Sequence, residues 1–150
     1  MYKKKKILAI TLARGGSKGV KEKNIKSICG KPLIFYTIRE AQKSKYIDRY
    51  IVSTDSKKIQ TISKKYGAEA PFLRPKYLSS DTASSVAALK HTIKWTEKDE
   101  KIRYDIILEL MCTNPLKKSK DIDSIIEKII NTKADSVIAV HRLEDHHPIR

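Results

Sequence analysis

The sequence predicts an α/β fold in which a doubly wound, mostly parallel sheet lies between two layers of helices. Residues 7–12 form an apolar run that is typical of a buried strand. Further along the chain, strand-like and helix-like apolar patterns alternate, which favours parallel pairing through crossover helices. The 150 residues are enough for one domain with its own core, and no internal repeat or low-complexity tract divides them.

Each predicted element has a local reason. Apolar and β-branched runs predict strands at residues 7–13, 49–54, 105–111 and 135–140, with a shorter one at residues 70–73. Apolar residues that recur every three or four positions predict helices at residues 32–44, 56–66, 84–98 and 120–131. Pro32 suits the first turn of the first helix, and Gly67 suits the end of the second.

The composition excludes several classes of protein. Hydrophobic residues make up 40% of the chain, and no apolar stretch is long enough to span a bilayer, so we expect no membrane partner. The N-terminus is basic, but no small-residue cleavage site follows its short apolar run, so we expect no signal peptide. Cys29 and Cys112 lack metal-site spacing, which predicts two reduced thiols in a cytoplasmic protein.

The chain is strongly basic. It has 32 Lys and Arg residues against 17 Asp and Glu residues, for a net charge of +15. Such a charge suits either nucleic acid or small anionic substrates. Most of the cations are scattered lysines rather than a run interleaved with aromatic residues. This pattern favours a small anionic substrate and leaves a nucleic-acid binding domain as the alternative.

The most informative segment follows the first predicted strand and reads Leu-Ala-Arg-Gly-Gly-Ser-Lys-Gly at residues 12–19. Backbone N–H groups at glycines can approach an anion closely, and basic side chains add charge. The residues concerned are Arg14, Gly15, Gly16 and Lys18, extended by Lys23 and Asn24. The segment matches neither of the common glycine-rich nucleotide motifs. We interpret it as a phosphate-binding loop, with a solvated basic turn as the alternative.

Four predicted loops lie where ligands of doubly wound sheets bind, at the carboxyl ends of the strands. They are residues 14–24, Asp55, residues 111–118 and residues 141–150. All four are polar, which predicts one shared site. For Asp55 we favour a structural role, capping the following helix, over a role in binding a ligand. Cys112 has no accompanying histidine motif, so we do not expect it to act as a nucleophile.

Several segments together resemble a known enzyme family. They are residues 13–19, Lys23-Asn24-Ile25, residues 30–34 (Gly-Lys-Pro-Leu-Ile), Arg74-Pro75 and the Leu-x-x-Asp-x-Ala-Ser-Ser string at residues 78–85. This set resembles the opening of the acylneuraminate cytidylyltransferases, which activate sialic acid and its relatives as CMP-sugars. The resemblance implies a nucleotide-diphospho-sugar transferase-like fold. It also implies transfer of CMP from CTP to an acidic nine-carbon sugar, with release of pyrophosphate.

The resemblance assigns roles residue by residue. It implies catalytic roles for Arg14, Lys18 and Lys23, and contacts to CTP for Arg14, Gly15, Gly16, Ser17, Lys18, Lys23, Asn24, Arg74, Ala83 and Ser85. It implies contacts to the sugar for Met111, Thr113 and Arg150. Met111 stands where the family often has a glutamine, so the sugar stays open between sialate, legionaminate, pseudaminate and Kdo. From propensity alone, Arg74-Pro75 and residues 78–85 are predicted to be a loop and a helix N-cap, which is the alternative interpretation.

The resemblance also bears on metal, domains and assembly. It implies Mg²⁺ held by a pair of aspartates that has no counterpart before residue 150. We therefore expect a nucleotide-binding domain at residues 1–140, with residues 141–150 opening a sugar-site and dimerisation extension, in a chain truncated at its C-terminus. A homodimer is expected for the full-length protein. The histidines at residues 141, 146 and 147 are weak evidence for zinc. A non-catalytic nucleotide-binding module is the alternative function.

Overall fold

The computed structural model describes residues 2–17, 19–80 and 82–140. The elements in these residues are, in chain order, β1 (Ile7–Leu12), β2 (Ser27–Ile28), β3 (Lys31–Pro32), α1 (Leu33–Lys43), β4 (Arg49–Ser53), α2 (Lys57–Lys65), α3 (Ser85–Glu100), β5 (Ile106–Glu109) and α4 (Ser119–Thr132). Each long element lies within two residues of its predicted bounds. Periodicity was therefore sufficient to identify these long helices and strands, but not the two-residue strands β2 and β3.

The main sheet has three parallel strands in the order β4–β1–β5. Leu8 pairs with Arg49 on one side of β1, and Ile7 pairs with Ile106 on the other. Because β1 is central and covered on both faces, Ile7, Leu8, Ala9 and Ile10 are all fully buried. This explains why the strand is a continuous apolar run rather than an alternating one.

Helices cover both faces of the sheet, which confirms the predicted three-layer, doubly wound architecture. On one face, α1, α2 and α4 pack Ile38, Ile59 and Ile126 against side chains of β1 and β4. On the other face, Leu89 and Ile93 of α3 pack against a buried cluster of Leu8, Ile10 and Ile51. No helix in the described part of the chain has the length and apolar character needed to cross a membrane.

A two-stranded antiparallel hairpin, β2–β3, was not predicted. Its turn is Cys29-Gly30, and both residues have positive φ angles, 49° and 77°. Positive φ at both central positions is the pattern of a two-residue hairpin turn that glycine favours. The paired strands contain only two residues each, too few for an alternating pattern to appear in the sequence.

Two predicted strands differ from the structure. Residues 135–140 form no strand, and Ile138 and Val140 are 80% and 88% exposed, so that prediction is wrong for the described chain. A strand needs a neighbour for its backbone hydrogen bonds, and this segment pairs with none of the three described strands of the main sheet. The predicted strand at residues 70–73 becomes two isolated parallel bridges, Ile51 to Glu69 and Thr54 to Leu73.

Candidate active site

One cavity of about 330 Å³ opens at the carboxyl edge of the sheet. The loops after β1 and β5, the segment between α2 and α3 and the start of α3 surround it, and the carboxyl edge is where ligands of doubly wound sheets bind. Its lining residues are Leu12, Arg14, Ser17, Lys23, Asn24, Arg74, Leu78, Ser79, Ser80, Ala83, Ser84, Ser85, Ala88, Glu109, Met111, Cys112 and Thr113.

The structure brings together most of the residues singled out in the sequence. The lining includes Arg14, Ser17, Lys23, Asn24, Arg74, Ala83, Ser85, Met111 and Thr113, which come from four separate stretches of the chain. Gly15 and Gly16 are not among the lining residues. Lys18 and Arg150 lie outside the described residues, as do the histidines at residues 141, 146 and 147.

Hydrogen bonds with two side chains, those of Asp55 and Asn24, fix the loop after β1. The Gly15 N–H donates to Asp55 Oδ1 at 2.9 Å, and Asn24 Nδ2 donates to the Arg14 carbonyl at 3.1 Å. A Cβ at Gly15 would stand 3.0 Å from the Ser56 Cβ, so glycine permits this close approach. Asn24 is itself buried, and its amide therefore also serves to fix the loop.

Asp55 does not cap the helix that follows it, so the capping interpretation is wrong. The N-cap of α2 is Ser56, whose Oγ accepts from the Ile59 N–H. The Asp55 carboxylate instead faces the Gly15 N–H and the positive charge of Arg74. It therefore joins the end of β4 to the loop after β1, which the local sequence did not reveal.

Arg74 is the most deeply placed cation of the cavity, with 5% of its surface exposed. Its backbone N–H donates to the Thr54 carbonyl at 2.7 Å, and its Nε donates to Ser79 Oγ at 2.9 Å. Burial lowers the pKa of Arg74, the Asp55 carboxylate opposes that shift, and the Arg14 charge adds to it. Two guanidinium groups thus act on the same space, which favours an anionic ligand.

The start of α3 supplies small and polar groups to the cavity wall. Ser84 is the N-cap, and its Oγ accepts from the Val86 N–H at 3.2 Å. The predicted N-cap interpretation is therefore confirmed for Ser84. The N-terminus of a helix carries a partial positive charge, which favours anions and polar ligands. Ala83 and Ala88 leave space along this wall of the cavity, because neither side chain extends beyond Cβ.

The opposite wall is formed by residues 111–113. Met111 is 60% exposed, whereas Cys112 is buried. Burial raises the pKa of the Cys112 thiol to about 12, so the group stays a neutral thiol. Sequence reasoning missed Glu109, the carboxylate among the described lining residues, whose position at the end of β5 was the signal available.

The described residues contain no group of three or more His, Cys, Asp and Glu side chains that could hold a metal ion. Mg²⁺ bound to phosphates ordinarily uses only one or two protein carboxylates. Glu109 lines the cavity and fits such a role, whereas Asp55 Oδ1 already accepts the Gly15 N–H.

The environment of His91, near Arg74, predicts that the stability of the protein depends on pH. Its Nδ1 is buried with no hydrogen-bond partner in the described structure, and its ring meets the Phe72 ring edge-on at 5.1 Å. Burial lowers the pKa of His91, and the charge of Arg74 lowers it further. Below about pH 6.5, His91 is therefore protonated to a greater extent in the unfolded chain than in the folded one.

We expect the free energy of unfolding to be highest above pH 6.5 on account of His91 and to decline as the pH falls below it. His91→Gln should make this decline shallower, because the substitution removes the titrating group. Urea unfolding at several pH values between 8 and 5 measures both proteins. Equal slopes for the two would contradict the role of His91.

Comparison with known proteins agrees with this geometry. The cytidylyltransferase family profile matches residues 8–149. The chain is 40% identical to a pseudaminic acid cytidylyltransferase of Campylobacter jejuni, with 93% of this chain and 60% of the relative covered. It is 36% identical to a CMP-N,N'-diacetyllegionaminic acid synthase of Legionella pneumophila, covering 90% and 57%. It is 37% identical to an N-acylneuraminate cytidylyltransferase of Escherichia coli, covering 91% and 32%.

Solved structures show the same fold. A CMP:2-keto-3-deoxy-manno-octonic acid synthetase complexed with CTP superposes with a TM-score of 0.71 at 21% identity, covering 86% of this chain and 49% of that one. A 4-diphosphocytidyl-2C-methyl-D-erythritol synthase superposes with a TM-score of 0.67 at 11% identity, covering 96% and 66%. The chain spans about 60% of the length of the pseudaminic acid enzyme. The sequence resemblance is thereby confirmed, and the chain belongs to the cytidylyltransferase family.

Proposed function

We propose that the protein containing this chain transfers CMP from CTP to an acidic nine-carbon sugar and releases pyrophosphate. The observation that carries the proposal is the cavity in which Arg14, Lys23 and Arg74 lie with the start of α3. Cations and helix N–H groups suit a triphosphate. The names of the relatives support the cytidine nucleotide and the class of sugar.

The nucleotide is proposed to lie between the loop after β1 and the start of α3. Arg14, Lys23 and Lys18 would bind the triphosphate, with Ser17 and the backbone of Gly15 and Gly16 beside it. Arg74, Ala83 and Ser85 would contact the cytidine, and Asn24 would both fix the loop and contact the nucleotide. Small side chains at residues 83 and 88 favour a pocket that admits a pyrimidine more readily than a purine.

The proposed reaction is an in-line displacement at the α-phosphorus. The anomeric oxygen of the sugar forms a bond to that phosphorus and loses its proton. The bond from the α-phosphorus to the bridging oxygen breaks, and pyrophosphate leaves with the electron pair. Negative charge gathers on phosphate oxygens in the transition state, so Arg14 and Lys23 act by electrostatic stabilisation and positioning.

We propose Mg²⁺ as the cofactor. Bound to phosphate oxygens, it would neutralise part of their charge. Glu109 is the described lining residue that suits it, and the aspartate pair implied by the resemblance, beyond residue 150, stays a prediction. Three further statements stay predictions: the homodimer, the cytoplasmic location and the absence of nucleic-acid or membrane partners. Light scattering tests the homodimer, and an oligonucleotide shift assay at moderate salt tests the absence of nucleic-acid binding.

The sugar site is proposed at residues 111–113, with Arg150 as a further contact. A Met111 thioether donates no hydrogen bond and accepts only weakly, so it favours an apolar substituent such as an acetyl methyl over a hydroxyl. Two relatives named for pseudaminic acid, from two strains of Campylobacter jejuni, are 40% and 39% identical to the chain where aligned. We therefore propose a diacylamino acid sugar before N-acetylneuraminic acid.

The activity test uses the full-length gene product. Pyrophosphate release from CTP is measured with pseudaminic, legionaminic, N-acetylneuraminic and Kdo acceptors, with and without Mg²⁺. We expect turnover that needs both the metal and an acid sugar. Binding of CTP without turnover on any acceptor would favour the non-catalytic nucleotide-binding module.

The nucleotide preference has its own test. CTP should raise the melting temperature of the protein more than ATP or GTP does at equal concentration, because a ligand that binds only the folded state stabilises it in proportion to its affinity. Differential scanning fluorimetry measures the shift for each nucleotide. Equal protection by ATP would contradict the cytidine assignment.

A further inference from the structure

Lys117 makes an unusually complete set of hydrogen bonds for a lysine. Its Nζ donates to Thr37 Oγ1 and to the Met111 carbonyl, both at 2.8 Å, and also to the Asn114 carbonyl. An ammonium has three N–H donors, so these acceptors use all of them. The side chain therefore closes the segment between β5 and α4 into a loop and ties that loop to α1.

The other end of the connection is fastened to the same helix. Glu40 of α1 is buried, and its Oε2 accepts from the Ser119 N–H at 3.0 Å, at the start of α4. Thr37, one turn earlier in α1, is fully buried against the sheet. Residues 111–119 thus contact α1 at two points, Lys117 and Ser119, and α1 itself does not line the cavity.

We propose that Lys117 is a positioning residue for the sugar acceptor, acting through residues 111–113. The proposal rests on the function proposed above. Lys117 does not line the cavity, whereas Met111, Cys112 and Thr113 do. The carbonyl that it holds belongs to Met111, so the ammonium sets where this wall lies relative to Arg14 and Lys23 across the cavity.

The chemistry of the group argues against a role in stability alone. Burial lowers the pKa of Lys117, and the Glu40 carboxylate opposes that shift, so placing the charge here costs solvation. An apolar side chain of similar length often serves stability as well as a buried charge does. An apolar chain cannot, however, gather two backbone carbonyls and a hydroxyl onto one atom, and this gathering defines the loop.

The kinetic test compares two variants with a matched control in the full-length protein. Lys117→Met removes all three donors while keeping an unbranched chain. Thr37→Val removes only the acceptor on α1 and keeps the shape. Lys120→Met removes an exposed lysine of α4 as the control. We expect Lys117→Met to raise the KM for the acid sugar about tenfold or more, as misplacement of a substrate-positioning group does.

Comparing the KM for the sugar with the KM for CTP separates a role in positioning the sugar from a general effect on the active site. Lys117→Met and Thr37→Val should leave the KM for CTP within about twofold of wild type, and Lys117→Arg should recover part of the loss because it keeps the donors. An equal rise of both KM values, or an unchanged KM for the sugar, would overturn the proposal. Absence of turnover in the wild type contradicts the proposed function instead, so the two failures are distinguishable.

A second readout needs no activity. Cys112 is a buried residue of this loop and Cys29 is exposed, so alkylation by iodoacetamide followed by mass spectrometry compares them within one protein. We expect Cys112 to react at least fivefold faster in Lys117→Met, with Cys29 unchanged, because local opening exposes it. Removing the Lys117 charge alone would slow the reaction, since that charge lowers the pKa of Cys112. An unchanged Cys112 rate would overturn the proposal.

Discussion

Replacing Lys23 by Ala should lower kcat/KM for CMP transfer by about two orders of magnitude or more, the usual cost of losing one electrostatic stabiliser in an active site. Lys23 lines the cavity from the short helical turn at Lys23–Ile25, next to the buried Asn24. Its charge acts where negative charge gathers in the proposed transition state. The side chain makes no hydrogen bond that holds the fold in the described structure, so the folded state should persist.

The control for this experiment is Lys21→Ala, two residues away and exposed. It should retain activity within about twofold, because a surface charge of this kind is screened by salt. Circular dichroism and the melting temperature show whether each variant is folded. Normal turnover by a folded Lys23→Ala protein would rule out the proposed role.

Arg74→Met should weaken CTP binding by about 10- to 100-fold, since a hydrogen bond to a charged group contributes about 1.5–3 kcal/mol. The side chain is 5% exposed and its Nε is held by Ser79, so its orientation is set before a ligand binds. The substitution also leaves the Asp55 carboxylate without its nearby positive charge. We therefore expect a lower melting temperature as well.

Arg74→Lys separates the two effects. It keeps the charge beside Asp55 but loses the planar fork of donors, so most of the stability should return while CTP binding stays impaired. Isothermal titration with CTP and thermal unfolding measure the two quantities, and Arg103→Met, at an exposed position, is the control. Wild-type affinity in both Arg74 variants would remove Arg74 from the nucleotide site.

Many of the residues that line the cavity could be identified from the sequence. The glycine-rich loop was found because loops that approach phosphates need unusual residues, and such residues are visible in sequence. The role of the Arg74 to Ser85 region came from the resemblance. The resemblance added individual residues, among them Ala83 and Met111, which no physical rule would single out. Most of them line one cavity because parallel strands bring their carboxyl ends to the same edge.

The wrong predictions share a different cause. The segment at residues 135–140 has a strand-like apolar pattern, but a strand depends on a hydrogen-bonding neighbour that its own residues cannot supply. Asp55 has the right type and position for a helix cap, yet Ser56 takes that role one residue later. Both were ambiguous locally, and packing resolved them.

Local sequence was enough for the order of the long helices and of the three strands of the main sheet, for the buried central strand and for the basic character of the site. Those features depend on spacings of two to four residues and on turn chemistry, which neighbouring residues carry. The folded chain alone decided the pairing of Gly15 with Asp55 and of Lys117 with Thr37, which lie 40 and 80 residues apart. Contacts at such separations leave no periodic trace, because they form only after the sheet and α1 have brought distant loops together.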